Sequence, residues 1–224
     1  MSSLNLRSLL KKTIFLVALA TVRRVGEIQA LSHKISRKGH DIYVSYTPNF
    51  VAKTENAANP LPRSFALRSL RGLANDYDSE KPLCPVRALS WYLDRTKVAQ
   101  GRPDSLFLSI RNPSRPISKN AISFFIRELI LEAEAVVEGD PRLPRAHSVR
   151  SAGTSAAFLK NVSLDKILSA ACWKSSSVFT SSYLRDFQFE RENCHSLGPF
   201  VASGQVLSFP FSSSGVGATG GGDR

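Results

Sequence analysis

The stretch AHSVRSAGTSAAFLKNVSLDKILSAACWKSSSVFTSSYL, residues 146–184, decides how this chain is read. It opens with His147 three residues before Arg150, at the mouth of a run rich in small residues whose pattern predicts a helix over 147–160. Two more short helices are expected after it, 163–171 beginning at Ser163 and 175 to about 187. An HxxR pair arises often by chance, so its neighbours must decide what it means. Trp173 follows Arg150 by 23 residues and Tyr183 follows Trp173 by ten. Taken singly, Tyr183 reads as a half-buried aromatic on a helix and Trp173 equally well as a core residue.

Toward the N-terminus, residues 5–20 carry Leu6, Leu9, Leu10, Ile14, Val17 and Leu19 at mostly helical spacing. A second short helix is expected over 25–32, with Val25, Ile28 and Leu31 on one face, joined to the first at Arg23-Arg24. Arg24-x-x-Glu27 opens it. Three β-prone runs follow, DIYVSYT (41–47), NFVAK (49–53) and RSFAL (63–67), separated by turn residues that include Pro48, Pro60 and Pro62. They predict a small antiparallel sheet with Lys53 at a hairpin end. A helix starts at Pro85 with proline in its first turn, and another runs from about Ser118, a candidate N-cap, to Ala133. The expected class is α+β, mainly helical, with the small sheet on one side.

The bulk numbers suit such a domain. With 42% hydrophobic and 21% charged residues, the 224-residue chain can build a core. Its net charge of +12 draws polyanions, and nucleic acid is the first partner to consider. Residues 1–40 hold eight Lys and Arg against Glu27 alone. Cys84, Cys172 and Cys194 show no CxxC spacing, so neither a disulfide framework nor a zinc site is encoded, and a reducing intracellular compartment fits. Lys11-Lys12 followed by the apolar run 14–20 imitates a secretory signal, yet the pattern continues into another helix as a buried core helix would. That run is also too short for a membrane span. Residues 196–224 hold seven of the thirteen glycines and six serines with almost no charge, and from 191 onward a flexible tail is expected. Its Phe200, Phe209 and Phe211 could dock on another subunit.

Six residues now stand in a recognisable order: Arg24, Lys53, His147, Arg150, Trp173 and Tyr183. Their order and the wording around them, "TVRRVGEIQAL", "FVAKT" and the opening block, resemble the catalytic domain of tyrosine recombinases, the integrase family. Within it the block is similar to the eukaryotic mobile-element branch, the Crypton and DIRS-like recombinases. The resemblance covers about residues 5 to 190. It implies the tyrosine recombinase catalytic-domain fold over 1–190, DNA strand cleavage and rejoining through a 3′-phosphotyrosyl intermediate, and double-stranded DNA as partner. It further implies a tetramer on DNA, and a nuclear location in a eukaryote or a cytoplasmic one otherwise. The separate N-terminal helical domain of that family is expected to be absent, since few residues precede the first catalytic-domain helix.

Each residue type suits its implied role. A planar, always charged guanidinium forks across two phosphate oxygens, which suits Arg24 and Arg150. Arg23 could take the place of Arg24, although the RxxE register favours Arg24. His147 can donate to the phosphate or exchange a proton with the attacking phenol. Trp173 offers only its indole N–H and so orients rather than transfers protons. Tyr183 is the implied nucleophile, activated by nearby positive charge. Lys53 would protonate the departing 5′ oxygen, and Glu27 would hold an arginine or histidine in place. No cofactor or metal is required. Residues 76–80, DYDSE, imitate a cation loop but lack its glycine and remaining ligands. His33, His40 and His195 lack partners at recognisable spacing and read as surface residues.

Three other functions compete. A DNA-binding module could keep the fold and the charge without chemistry. Type IB topoisomerases share related chemistry, but the tryptophan and the mobile-element wording point away from them. A metal-dependent transposase needs clustered carboxylates, and no convincing cluster is found.

Overall fold

Helix α1 (Leu6–Thr21) is the buried post of the molecule. Asn5 caps it, its side chain accepting from the Ser8 N–H at 2.8 Å. Leu9, Leu10, Ile14 and Val17 are almost wholly buried, which makes this stretch a core helix. It packs against α4 (Pro85–Thr96), α5 (Lys119–Glu134) and α6 (Ser148–Leu159). Lys11 reaches Glu132 at 2.6 Å and Arg7 reaches Glu128 at 3.1 Å, so part of the N-terminal positive charge is spent on tying α1 to α5. The computed structural model describes residues 4–53, 55, 60, 62–71, 77–97, 101–134 and 145–184. The chain divides into a unit Met1–Arg185 and a unit Asp186–Arg224. The expected tail from 191, with Cys194 and His195, lies outside the described residues.

The end of α1 sets the site. Val22 takes a left-handed conformation, φ 47°, rare for a β-branched residue. Its side chain is buried with Ile167, Ala171, Trp173 and Phe179, and that packing holds the strained turn. A Cβ placed on Gly153 of α6 would lie 2.9 Å from Val22 Cγ1 and 3.2 Å from the Leu19 carbonyl oxygen. Only glycine permits so close an approach of α6 to α1.

Beyond the turn, α2 (Val25–Gln29) is shorter than the expected 25–32. The backbone of residues 31 and 32 leaves the helix to pair with Tyr46 and Ser105. The sheet is antiparallel, β1 (Ser36–Lys38), β2 (Asp41–Ser45) and β3 (Ser64–Leu67) in that order. Ile42 and Val44 point inward and alternate with half-buried residues, as period-2 patterning requires. Residues 49–53 are not a strand. The Thr47 N–H donates to Ala30 O at 2.8 Å and the Phe50 N–H to Thr47 O at 3.1 Å, so the chain turns back into the β2–β3 connection. The third strand is instead β1, whose exposed Ser-Arg-Lys carries no apolar alternation to betray it.

Helix α3 (Tyr77–Leu83), with Pro82 inside it, was not expected. It contains most of the cation-loop imitation, and there Glu80 accepts from Arg87 of α4 at 3.1 Å. Ser118 caps α5 as expected, accepting from the Ala121 N–H at 3.1 Å. After α6 come α7 (Leu164–Ala171) and α8 (Ser176–Ser182), the latter ending sooner than residue 187. All three close with an N–H five residues on returning to the last turn: Val162 to Ala157 O, Trp173 to Leu168 O and Leu184 to Phe179 O. Described residues 4–184 are thus mainly helical with one small antiparallel sheet. Among the described residues no helix is long and apolar enough to cross a membrane.

Candidate active site

Four segments distant in sequence, one of them α5 through Ile126, meet at one cavity of about 300 Å³. The α1–α2 junction brings Arg23 and Arg24, the start of α6 brings His147 and Arg150, and the end of α8 brings Tyr183. Ala18, Gly26, Ile126 and Ala146 are among the apolar residues that complete the lining.

Arg24 is the residue before α2, and Glu27 one turn on bends back to it. Glu27 Oε1 accepts from Arg24 Nη1 at 3.1 Å, and Oε2 accepts from the Arg24 backbone N–H at 3.4 Å, half of a capping box. Oε2 also lies 3.7 Å from Arg23 Nη1. One buried carboxylate therefore serves two neighbouring guanidiniums. Arg23 in turn donates through Nη1 to Cys172 Sγ at 2.8 Å and lies over the Phe65 ring, 4.9 Å from its centroid.

Arg150 is 3% exposed. Its Nη2 donates to the Ala171 carbonyl, while Nε and Nη1 are buried with no hydrogen-bond partner. The guanidinium carbon sits 4.7 Å from the Trp173 ring centroid and 5.6 Å from that of Tyr183. Burial pushes its pKa down to about 10, and the Arg24 charge pushes the same way while Glu27 opposes it. The cation therefore persists at neutral pH. Buried donors without acceptors beside a cavity are the mark of a site built for an anion.

The rings of Trp173 and Tyr183 pack with centroids 4.4 Å apart and planes tilted by 42°. The indole Nε1 is another buried donor without a partner. Tyr183 is half-buried, and its carbonyl accepts from Ser155 Oγ at 2.9 Å, which fixes the end of α8 to α6. His147 is exposed at the N-terminal end of α6, its carbonyl accepting from the Arg150 N–H at 3.0 Å.

Of the residues singled out in the sequence, Arg24, His147, Arg150 and Tyr183 line the cavity, and Trp173 and Glu27 pack against members of the lining. Lys53 does not join them. It is exposed on the β2–β3 connection and is not among the lining residues. His33, expected at the surface, is half-buried, its Nδ1 lying 3.0 Å from the Asp104 carbonyl oxygen. Among the described residues no group of three or more His, Cys, Asp or Glu could hold a metal ion. Cys172 and the Ala171 carbonyl were not singled out, because their arginine contacts span 149 and 21 positions and leave no spacing signature.

Among solved structures, the chain is similar to XerA recombinase, with a TM-score of 0.51 and 19% identity over 80% of this chain and 59% of that one. It also matches a lambda integrase(75–356) dimer bound to a COC′ core site, at TM-score 0.47 and 19% identity over 82% and 54% of the two chains. The fold is that of a tyrosine recombinase catalytic domain. The chain spans about three-fifths of the XerA structure's length. No protein-family model and no curated protein matches its sequence. In this recombinase fold the three-residue turn 171–173 touches both Arg23 and Arg150.

Proposed function

We propose that this chain cleaves and rejoins DNA strands, with Tyr183 as nucleophile and a 3′-phosphotyrosyl intermediate. The observation that carries the proposal is the convergence of Arg24, His147, Arg150 and Tyr183 on one cavity in which Arg150 keeps two buried donors unused. A phosphodiester seated there meets guanidiniums on its non-bridging oxygens, where charge grows during displacement. The phenolic oxygen bonds to phosphorus, its proton passes to His147 or water, and the bond to the 5′ oxygen breaks. Lys53 protonates that oxygen once DNA draws the β2–β3 connection inward. A second 5′ hydroxyl reverses the step, so rejoining needs no outside energy source.

Within this reading residues 1–190 form the catalytic domain and 191–224 a tail, and the chain works on double-stranded DNA as a tetramer. The wording of its motifs supports a mobile-element origin of the Crypton or DIRS type, and with it a nuclear location. The second reading, a DNA-binding module without chemistry, is favoured by Lys53 standing outside the cavity. A duplex nicked beside the scissile phosphate separates the two. The strand transferase accumulates a covalent protein–DNA adduct that Tyr183→Phe abolishes, whereas the module gives only salt-sensitive, reversible complexes.

A further inference from the structure

We propose that Arg23 is a positioning residue for the strand-transfer reaction above, a brace that joins Glu27, and through it Arg24, to the α7 turn that carries Trp173. The inference rests on that reading for its kinetic test and on geometry for its structural one. Arg23 is 8% exposed with its Nε buried and without a hydrogen-bond partner, so its position rests on the contacts of Nη1 and of the guanidinium face. It touches three elements. Its Nη1 is 2.8 Å from Cys172 Sγ and 3.7 Å from Glu27 Oε2, and its guanidinium carbon is 4.9 Å from the Phe65 centroid on β3.

The consequences follow from what each partner holds. Cys172 sits in the left-handed conformation, φ 51°, with Ala171 on one side accepting through its carbonyl oxygen from Arg150 and Trp173 on the other packed against Arg150 and Tyr183. Glu27 holds Arg24 through its other oxygen. Arg23 is therefore the side chain common to the support of Arg24 and to the support of the Trp173 turn. Without it Glu27 loses one of its two cations, the turn loses its link to α2, and the two phosphate-facing arginines can drift apart. Ångström-scale drift at a reacting centre costs rate far more than it costs binding.

The test uses the full chain on the nicked duplex, in single turnover. Arg23→Met should lower the adduct-forming rate constant by about 10- to 100-fold while the dissociation constant for DNA changes little. Arg23→Lys should recover part of the rate, since it keeps a charge beside Glu27 but loses the fork. Arg23→Met and Cys172→Ala should be non-additive in rate. On a duplex with a neutral methylphosphonate at the scissile position, the defect of Arg150→Ala should shrink and that of Arg23→Met should persist. Equal losses of rate and binding, additivity with Cys172→Ala, or a defect that shrinks on the methylphosphonate would each overturn the brace. If the wild-type chain forms no adduct, strand transfer fails and the brace is judged by denaturation midpoints. Non-additive shifts for Arg23 with Cys172, against additive ones for Arg7→Met with Cys172→Ala, support it, and additive shifts for both pairs overturn it. Should Arg23→Met not fold, Arg23→Lys carries the same comparisons.

Discussion

The Arg150 guanidinium lies over the ring of Trp173, its central carbon 4.7 Å from the ring centroid. Stacking of this kind is worth up to ~2 kcal/mol in a desolvated setting, but it satisfies none of the guanidinium's N–H groups. Arg150 is thus held in place and kept charged while Nε and Nη1 stay without acceptors. A residue in that condition weighs against the fold and favours an anion.

Replacing Arg150 with methionine should separate these two effects. The substitution removes a buried, half-satisfied charge, so the unfolding free energy is expected to hold or to rise by ~1–3 kcal/mol. Adduct formation should fall by about 10²–10³-fold, the usual loss when one electrostatic donor to a transition state is deleted. Denaturant titration and single-turnover cleavage read the two.

Small tetrahedral oxyanions should stabilise the protein. The folded-state pKa of Arg150 lies below that of the free guanidinium, so the unfolded chain holds the proton more tightly and the charge opposes folding at every pH below about 10. An anion in the cavity offsets that penalty. At 100 times its dissociation constant it adds ~2.7 kcal/mol, a melting shift of several degrees for a domain of this size. Because Arg150 stays charged up to about pH 10, its share of the shift should be constant from pH 6 to 9. Arg150→Met should abolish the shift.

Trp173 should tolerate phenylalanine far better in stability than in reaction. Its indole N–H is buried without a partner, so Trp173→Phe removes an unsatisfied donor along with part of the packing. Thermal melts of that variant are expected close to wild type, whereas Trp173→Ala should lose ~3–5 kcal/mol by opening a cavity among Val22, Phe179 and Tyr183. Cleavage by Trp173→Phe should slow in proportion to what the N–H contributes at the phosphate.

Lys53 is open to a chemical test of its role. If it protonates the leaving oxygen, Lys53→Ala should cut cleavage of ordinary duplex by about 10²–10⁴-fold. A duplex with sulfur in place of the bridging 5′ oxygen needs no such proton, and on it the variant should match wild type. Equal defects on both substrates would remove Lys53 from the chemistry.

Much of this architecture was legible because periodicity and caps are local. Helices α1, α4 and α5 follow from apolar spacing, from Pro85 and from Ser118, and the sheet's inner residues Ile42 and Val44 follow from alternation. What escaped was non-local or unpatterned. β1 is a polar edge strand, α3 contains a proline, and 49–53 was pulled from strand to turn by a backbone bond to Ala30. In the site, Arg24, His147, Arg150, Trp173 and Tyr183 were readable as an order of residue types. Their supports at Arg23 and Cys172 were not, since a guanidinium can reach a thiol from any distance along the chain.

The gap between Gly153 and Val22 has a consequence for how this molecule can fail. The separation of the Arg24-bearing junction from the Arg150-bearing helix is gauged by a hydrogen atom, the entire side chain of position 153. A single methyl there would wedge one helix off the other and unseat both cations without touching a functional group. Residues that do no chemistry can thus be as intolerant of change as those that do, and a loss-of-function screen should find this one beside Arg150 and Tyr183.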